Sequence, residues 1–279
     1  MSTVLITGTS KGIGYESALA FARAGHQVFA TMRNPASAPA LAEIAAAEKL
    51  PITISAIDVD SDSSVATAIA AILQHTPIDI LVNNAGIERV GSVEELPLSD
   101  ARAIMETNYF GVIRCLQALA PSMRRRGSGA IINVSSISAR ISCGPLSHYA
   151  ASKWALEALT EGLAGEMKMF NVRVALIQPG IINTAMAQRI SDPTNPSPYP
   201  NGKRVAAMFA NSLQAPIPPA LVAEKILEVA ESGTWQLRHP VGPDAIPFLQ
   251  LRASMTDERW VETNAADDAT FFSRLSGGE

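Results

Sequence analysis

Short apolar runs alternate with longer amphipathic stretches along the chain up to Gly180. The apolar runs have the length and the β-branched content of buried strands, and each is preceded or followed by glycine, proline or asparagine. They predict six strands, at residues 3–7, 26–32, 52–57, 78–82, 130–134 and 172–177. A later run at 235–241 predicts a seventh strand.

Between these strands, apolar residues return with the period of an α-helix. The periodic stretches predict helices at 15–24, 38–50, 61–74, 97–126, 149–170 and 220–232. The longest of them is interrupted at 107–111, where asparagine and glycine have poor helix propensity, so we expect a local bend there. Its last turn is basic and precedes Gly127, which is typical of a helix C-terminus.

The alternation of strand and helix predicts a parallel sheet with helices on both faces. The predicted fold class is therefore α/β, with a doubly wound, Rossmann-type sheet in a single domain over residues 1–279. Ligands of such sheets bind at the carboxyl ends of the strands, beside the point where the strand order reverses. Polar clusters that follow strands are therefore the first candidates for a functional site.

Two segments after Gly180 depart from the alternation. Residues 181–219 carry seven prolines between 193 and 219, together with Met208, Phe209 and Leu213, and this insertion is too long for a plain connector. We predict that it forms a lid or substrate loop. Residues 249–279 form a C-terminal tail of mixed composition, in which one helix is predicted at 257–264.

Composition and charge narrow the function classes. Hydrophobic residues make up 47% of the chain and the net charge is −4, which favours a compact globular protein and gives no basis for a nucleic-acid partner. No apolar run reaches the roughly 18 residues of a membrane span. The first strand follows the N-terminus without a leader segment, so we expect a cytoplasmic protein.

The cysteines and histidines point to no disulfide framework and no metal. Cys115 and Cys143 are the two cysteines of the chain. The histidines show no ligand spacing, and they are His26, His75, His148 and His239.

A glycine-rich turn follows the first strand and opens the first helix. Gly8, Gly12 and Gly14 allow a tight turn in which backbone N–H groups at the helix N-terminus can receive a phosphate. The spacing is G-x-x-x-G-x-G, and a purely structural turn is the alternative.

Tyr149 and Lys153 are four residues apart in a helical pattern, so they share one face of the helix. An ammonium beside a phenol favours the phenolate and lowers a pKa that is about 10 when unperturbed. Such a tyrosine can give or take a proton near neutral pH. A solvent-exposed helix face gives the same pattern. The catalytic interpretation of the pair is strengthened by the serines at 135–136 and the asparagines at 83–84, which each lie at a strand end.

Together these motifs resemble the short-chain dehydrogenase/reductase superfamily in its compact, one-domain branch. The resemblance runs from about Thr3 to Gly180 and continues more weakly to Val241. It rests on Thr7-Gly8-x-x-x-Gly12-x-Gly14, Asn83-Asn84-Ala85-Gly86, Tyr149-x-x-x-Lys153 and Pro179-Gly180. Ser136 lies 149 − 136 = 13 residues before the tyrosine, the usual interval for the catalytic serine, and Ser135 is the alternative.

The resemblance implies catalytic roles for four residues. Tyr149 would protonate the carbonyl oxygen during reduction or take a proton during alcohol oxidation, and Ser136 would hold the substrate oxygen. Lys153 would lower the pKa of Tyr149 and bind the nicotinamide ribose. Asn108 would bind, through its backbone, a water that links Lys153 to solvent.

The resemblance also implies a set of residues that contact the nicotinamide cofactor. They are Gly8, Ser10, Lys11, Gly12, Ile13, Gly14, Arg33, Asp58, Val59, Asn84, Ala85, Gly86, Tyr149, Lys153, Pro179, Gly180, Ile182 and Thr184. Within this set, Asp58 would contact the adenine amino group and Val59 the adenine ring.

The end of the second strand favours NADP (NADPH) over NAD. NAD-preferring enzymes place a carboxylate there to hold the ribose 2′-hydroxyl, whereas this chain reads Met32-Arg33-Asn34. Lys11 brings a second cation from the glycine turn to the same place. Both features resemble NADP-preferring members of the superfamily.

The substrate is predicted to be a hydrophobic ketone, aldehyde or alcohol. The segments VFATMRN, YAASKWALEALTEGLA and VGPDA resemble the subgroup that contains hydroxysteroid and retinol dehydrogenases. The apolar residues of the 181–219 loop suit such a small molecule.

Apolar stripes on the two long helices predict a homodimer or homotetramer, since they exceed what one side of a sheet would bury. The stripe on the 97–126 helix contains Ile113, Leu116 and Leu119. In the superfamily, these two helices pair across a two-fold axis.

Two other functions remain open at this point. A nucleotide-sensing regulator could keep the fold without turnover, although the intact Ser136, Tyr149 and Lys153 disfavour it. An epimerase or dehydratase of the extended branch would need a larger C-terminal domain than the 279 − 180 = 99 residues after Gly180 provide.

Overall fold

Seven parallel strands form one sheet in the computed structural model, which describes residues 1–192 and 197–275. The strands are β1 (Thr3–Thr7), β2 (Gln27–Met32), β3 (Ile52–Ala56), β4 (Ile80–Asn83), β5 (Gly129–Val134), β6 (Val172–Pro179) and β7 (Arg238–Val241). Their order in the sheet is β3-β2-β1-β4-β5-β6-β7. The doubly wound, Rossmann-type fold expected from the alternating pattern is confirmed.

Helices cover both faces of this sheet. Those before β7 are α1 (Gly12–Arg23), α2 (Ala40–Ala47), α3 (Asp62–Leu73), α4 (Leu98–Met105), α5 (Gly111–Arg126), α6 (Ser147–Lys168), α7 (Ala185–Ser191), α8 (Asn201–Ser212) and α9 (Pro219–Glu231). Those after β7 are α10 (Ala245–Ser254), α11 (Asp257–Ala265) and α12 (Asp268–Leu275). Among the described residues, no helix is long and apolar enough to cross a membrane.

The two cores of the molecule follow from the alternation of side chains along each strand. In β1, Val4 and Ile6 pack in the core beneath α1 and α9, whereas Leu5 between them packs in the core beneath α3, α5 and α6. All three side chains are fully buried. The three central residues of the strand are therefore all apolar, as expected for a parallel sheet covered on both sides.

The strand order reverses at β1, which pairs with β2 on one side and with β4 on the other. The loops after β1 and β4 therefore leave the sheet side by side and open a crevice at its carboxyl edge. Thr7 and Asn83, the last residues of these strands, bring the glycine turn and the asparagine motif into contact.

The bend expected in the long helix is a π-helical turn at Glu106–Phe110, between α4 and α5. Wide turns of this kind leave backbone groups outside the regular hydrogen-bond ladder and are frequent at functional sites. The helix ends at Gly127, whose φ of 66° is the left-handed value that glycine adopts easily.

The last strand is shorter than expected. β7 begins at Arg238 rather than at 235, because the backbone N–H groups of Thr234 and Gln236 donate to the hydroxyls of Ser232 and Thr234 in a turn.

The segments after Gly180 contain more structure than the sequence pattern indicated. The 181–219 insertion forms α7 and α8, and residues 193–196 of that prediction lie outside the described residues. The tail forms two helices beyond the single one expected at 257–264, and its residues 276–279 also lie outside the described part. α11 begins where the Thr256 hydroxyl accepts from the Arg259 N–H, at 3.2 Å.

The apolar stripe on α5 is mostly used inside the chain. Leu116 and Leu119 are buried in the core beneath α3, α5 and α6, so they add nothing to the outer face of the helix. The outer apolar surface near these helices comes from Phe110 of the π-helical turn and Trp154 of α6, which remain 44% and 47% exposed. These two side chains were not part of the predicted stripe.

Candidate active site

A cavity of about 570 Å³ opens at the carboxyl edge of the sheet, where the strand order reverses. The loops after β1, β2, β3, β4, β5 and β6 contribute to its walls. It is lined by Ser136, Tyr149 and Lys153 and by every residue predicted to contact the cofactor except Gly14. The structure therefore brings together side chains that are up to about 170 residues apart in the sequence.

The glycine turn is pressed against the loop after β4. A Cβ on Gly8 would lie 2.8 Å from the Ala85 Cα, and one on Gly14 would overlap the Gly8 carbonyl and the Asn84 side chain. The Asn84 amide donates to the Thr7 and Gly8 carbonyls, at 3.0 and 3.1 Å. Gly14 thus permits this contact, and it is the one residue of the predicted cofactor set that does not line the cavity.

The two adjacent asparagines have different partners. Asn83 donates to the Asn133 side chain on β5, at 2.8 Å, and Asn133 donates in turn to the Thr160 hydroxyl of α6, at 2.9 Å. Asn84 instead fixes the glycine turn, as described above. The first asparagine therefore joins β4 to β5 and α6 inside the molecule, and the second organises the wall of the cavity.

Asn108 is fully buried in the π-helical turn and does not line the cavity. Its side chain accepts from the Ile87 N–H at 2.8 Å and donates to the Ile87 carbonyl at 2.9 Å. It also donates to the Ser152 hydroxyl on α6, at 2.9 Å. Asn108 thus holds the loop after β4 against the helix that carries Tyr149 and Lys153.

The serine that precedes the helix is now distinguished from its neighbour. Ser136 lowers the pKa of Tyr149, and both residues line the cavity. The Ser135 hydroxyl donates to the buried carboxylate of Glu157, at 3.2 Å. Ser136 is therefore positioned to act with Tyr149, whereas the Ser135 side chain takes part in an internal network.

Burial determines the protonation of the tyrosine and the lysine. It raises the pKa of Tyr149 to about 12, while the hydrogen bond with Ser136 lowers this pKa and the charge of Glu88 raises it. Burial also lowers the pKa of Lys153 to about 8. That Lys153 lowers the pKa of Tyr149 stays a prediction: its ammonium lies 5.8 Å from the Tyr149 ring centroid and donates to the Val134 carbonyl at 2.8 Å.

Two exposed cations flank the glycine turn. Lys11 and Arg33 both line the cavity, and neither side chain has a hydrogen-bond or ion-pair partner within residues 1–192 and 197–275. Unpaired cations at a crevice suit a phosphate group, since a carboxylate or a phosphate would complete their charge pairing.

The loop after β3 brings two carboxylates to the cavity. Asp58 lines the cavity, and one of its carboxylate oxygens accepts from the Asp60 N–H at 3.1 Å. Asp60 also lines the cavity, accepts from the Thr107 hydroxyl at 3.1 Å, and has a second, buried oxygen with no hydrogen-bond partner among the described residues. Sequence reasoning singled out Asp58 and Val59 and missed Asp60, although the D-x-D pattern was visible.

The other half of the cavity is apolar, and the C-terminal tail supplies much of it. Met208 and Phe209 of α8 line this half as expected, whereas Leu213 does not. Three aromatic residues from outside the predicted loop join them: Phe248, Trp260 and Phe271. Aromatic residues are 5% of the chain, so their recurrence from Phe248 onward could have indicated that this region lines the cavity.

An ion pair with one buried partner joins the loop after β4 to α7. Glu88 is 3% exposed, and its carboxylate accepts from the exposed Arg189 guanidinium at 2.8 and 3.0 Å. This pair holds the first helix of the 181–219 segment at the cavity. No local pattern connects the two residues, which lie 101 positions apart.

A family model described as short chain dehydrogenase matches residues 2–195. The chain belongs to the short-chain dehydrogenase family of oxidoreductases. It is similar over most of its length to curated relatives of the subgroup that contains retinol dehydrogenases.

Two relatives show the extent of this similarity. The uncharacterized oxidoreductase YusZ of Bacillus subtilis is 36% identical over 265 residues, with 92% of this chain and 94% of the relative covered. Human retinol dehydrogenase 8 is 38% identical over 265 residues, with 90% of this chain and 84% of the relative covered.

Solved structures agree with the fold. A short-chain dehydrogenase from Streptomyces avermitilis superimposes with a TM-score of 0.78 at 30% identity, covering 99% of this chain and 97% of that one. A gluconate 5-dehydrogenase from Burkholderia cenocepacia, in complex with NADP and tartrate, gives 0.77 at 26% identity, with coverages of 88% and 95%.

The Glu157 network predicts a stability effect. This carboxylate is 3% exposed, accepts from Ser135, from Gln178 at 2.7 Å and from Arg238 at 2.9 Å, and forms an ion pair with Arg140 at 3.2 Å. In Glu157→Gln the charge is lost and an amide N–H group faces donors, so we expect the free energy of unfolding to fall by roughly 1–3 kcal/mol. Denaturant-induced unfolding at a fixed chain concentration measures this.

Glu161→Gln is the matched control, because Glu161 is 63% exposed and its carboxylate pairs with the same Arg238. Exposed ion pairs contribute little, so this variant should unfold close to the wild type. Equal losses of unfolding free energy in the two variants would show that the burial of Glu157 does not explain its contribution to stability.

Proposed function

We propose that the chain is an NADP(H)-dependent oxidoreductase that interconverts a hydrophobic ketone or aldehyde and the corresponding alcohol by hydride transfer. The observation that carries the proposal is that Ser136, Tyr149 and Lys153 line one cavity together with the glycine turn. A proton donor, an oxygen-binding hydroxyl and a dinucleotide-type loop in one crevice are what carbonyl reduction requires.

The cavity fits a nicotinamide dinucleotide. Gly12 has a φ of 63°, and a Cβ there would find the Thr184 side chain as its nearest contact, at 3.6 Å, so the backbone at the start of α1 is open to a phosphate. Asp58 and Val59 suit the adenine end, and Pro179, Gly180 and Ile182 suit the nicotinamide end. When bound, the dinucleotide supplies or accepts the hydride.

Lys11 and Arg33 support the preference for NADP. Met32, the last residue of β2, provides no carboxylate that would favour NAD, and it is almost fully buried. The two unpaired cations can bind the 2′-phosphate of NADP. The planar guanidinium of Arg33 can donate two hydrogen bonds to it, and the Lys11 ammonium can pair with its charge. NAD is the less favoured cofactor.

The proton chemistry follows from the burial of Tyr149. A pKa raised to about 12 keeps its hydroxyl protonated at neutral pH, which is the state that a general acid needs for reduction. In that direction Tyr149 gives its Oη proton to the carbonyl oxygen while Ser136 donates a hydrogen bond to the same oxygen. In alcohol oxidation Tyr149 takes the proton back.

Lys153 and Asn108 position this proton donor. Lys153 holds an ammonium behind Tyr149 through the Val134 carbonyl, and it can donate to a ribose hydroxyl as well as favour the charge that develops on the phenol oxygen. Asn108 holds the loop at Ile87 against α6, and its π-helical turn leaves backbone carbonyls available to a water. Both contributions are electrostatic or structural.

The apolar half of the cavity supports a hydrophobic substrate. Met208, Phe209, Phe248 and Phe271 present no hydrogen-bonding side chains, so a polar molecule would lose water there without compensation. Human and bovine retinol dehydrogenase 8 are among the relatives, and their name agrees with a hydrophobic substrate.

Replacing the proposed acid tests the mechanism. Tyr149→Phe keeps the ring in place and removes the transferable proton, so we expect turnover to fall by roughly 10²–10⁴-fold with unchanged cofactor affinity. Initial rates with a panel of hydrophobic ketones and NADPH, together with a fluorescence titration of NADPH, measure both quantities.

Tyr15→Phe is the control for this variant, because it makes the same chemical change on α1 at a residue that does not line the cavity. Wild-type turnover in Tyr149→Phe would refute the assignment of the acid. A wild-type chain that binds NADPH and reduces no ketone or aldehyde of the panel would favour the nucleotide-sensing regulator.

The cofactor preference is tested at Arg33. A hydrogen bond to a charged group is strong enough that Arg33→Ala should weaken NADPH binding roughly ten- to a hundredfold. NADH binding should be almost unchanged, because NADH has no 2′-phosphate. Fluorescence titration of both cofactors gives the two dissociation constants.

Arg23→Ala is a suitable comparison, since it also removes one positive charge but lies at the far end of α1, paired with Glu48. Equal affinities of the wild type for NADPH and NADH would leave Lys11 and Arg33 without a role in recognition.

The proposed assembly is a homodimer or homotetramer, and a cytoplasmic location stays a prediction. With Leu116 and Leu119 buried inside the chain, the exposed rings of Phe110 and Trp154 are the apolar surface available near α5 and α6. Light scattering should give the mass of two or four chains, and Trp154→Glu should shift it toward one chain. A monomer mass for the wild type at micromolar concentration would contradict the assembly.

A further inference from the structure

A second cavity, of about 390 Å³, is lined by residues of α11 and of the loop before α6, and by no residue of the glycine turn. Cys143, Trp260 and Asn264 line both cavities, so they form a partition between them. We refer to the cavity that holds Tyr149 as the inner cavity and to the second one, which is open to solvent, as the outer cavity. The bulk of the partition is the indole of Trp260.

The indole is held in place by two contacts. Its N–H donates to the Ser142 carbonyl at 3.0 Å, in the loop between Ser136 and Tyr149. The Arg252 guanidinium lies 5.6 Å from the ring centroid and is itself anchored by Asp257. α10 and α11 therefore fix the orientation of the ring against the loop on the active-site side.

The rest of the partition is tied to α8. The buried Arg204 donates to the Asn264 carbonyl at 3.2 Å and forms an ion pair with Asp268. The same guanidinium lies 5.3 Å from the Phe271 ring centroid. The tail is therefore docked by directional contacts, and it forms a structured wall of the active site.

Both cavities have largely apolar walls, and they differ in the polar side chains that they present. The inner cavity has Ile141, Leu146 and Phe248 among its apolar walls, together with charged residues such as Arg189. The outer cavity presents the side chains of Ser142, Ser147 and Asn201, and no acidic or basic side chain lines it within residues 1–192 and 197–275. A molecule reaching through the partition would thus meet neutral hydrogen-bonding side chains in the outer cavity.

We propose that Trp260 determines the length of substrate that the active site accepts, and that the outer cavity is a subsite for the far end of a longer substrate. The substrate class is a ketone or alcohol with an apolar chain that ends in a neutral hydrogen-bonding group, such as a hydroxyl. This inference rests on the proposed oxidoreductase function and adds a specificity-determining residue to it.

The experiment measures kcat/KM with NADPH for methyl ketones of increasing chain length. In the wild type, each methylene buried in the inner cavity should raise kcat/KM roughly fourfold until the chain reaches Trp260, after which kcat/KM should fall. In Trp260→Ala the maximum should move to chains longer by several carbons. An identical optimum in the two proteins would overturn the proposal.

A second substitution tests the subsite itself. Ala265 lines the outer cavity alone, so Ala265→Trp should leave the wild-type optimum unchanged and, combined with Trp260→Ala, should restore the shorter one. In Trp260→Ala, long ketones that end in a hydroxyl should also react several-fold better than those of equal length that end in a carboxylate. A combined variant that keeps the longer optimum, or a preference for the carboxylate, would refute the subsite.

Controls separate this inference from folding and from the proposed function. Trp235→Phe alters an exposed indole that stacks on Lys168 at the other end of the sheet and should leave the length profile unchanged.

If Trp260→Ala does not fold, Trp260→Phe should shift the optimum in the same direction by fewer carbons, and no shift would overturn the proposal. If the Trp260 variants reduce short ketones with an unchanged optimum of chain length, only the role of Trp260 is refuted. If the wild type reduces no ketone at all, the proposed oxidoreductase function is refuted.

Discussion

The contact between the glycine turn after β1 and the loop after β4 leaves no room for a side chain at Gly8. The Asn84 amide closes this contact by donating to the Thr7 and Gly8 carbonyls, and Gly14 makes it possible from the other side. Because the strand order reverses here, the contact also defines the floor of the crevice. The cavity wall, the start of α1 and the position of Ala85 all depend on it.

Buried side-chain hydrogen bonds extend this constraint to the proton donor. Asn108 joins the loop at Ile87 to α6, and Glu157 joins the ends of β5, β6 and β7 to the same helix. Leaving one such buried group unpaired costs about 1–3 kcal/mol, which is a large part of the stability of a typical domain. The helix that carries Tyr149 is therefore fixed from two sides by polar contacts, in addition to its apolar packing.

Desolvation is the largest influence on the pKa of Tyr149, and the charge of Glu88 raises this pKa further. The neighbouring ammonium favours the phenolate, but it is itself buried and is directed to the Val134 carbonyl. The tyrosine consequently keeps its proton, as a general acid must, and the Ser136 hydroxyl is the group that interacts with it directly. Spacing along a helix shows that two side chains are neighbours, and it does not show how far each is removed from water.

The sequence by itself determined the sheet, the glycine turn and the grouping of Ser136, Tyr149 and Lys153, because these depend on local patterns: strand runs, turn residues and helical spacing. It also located the π-helical bend through poor helix propensity. Tertiary structure alone decided that Ser135 turns to Glu157, that Gly14 packs against Gly8 and Asn84, and that Trp260 lines the cavity. Each of these depends on contacts between segments far apart in the chain, and neither periodicity nor spacing records which distant segments meet.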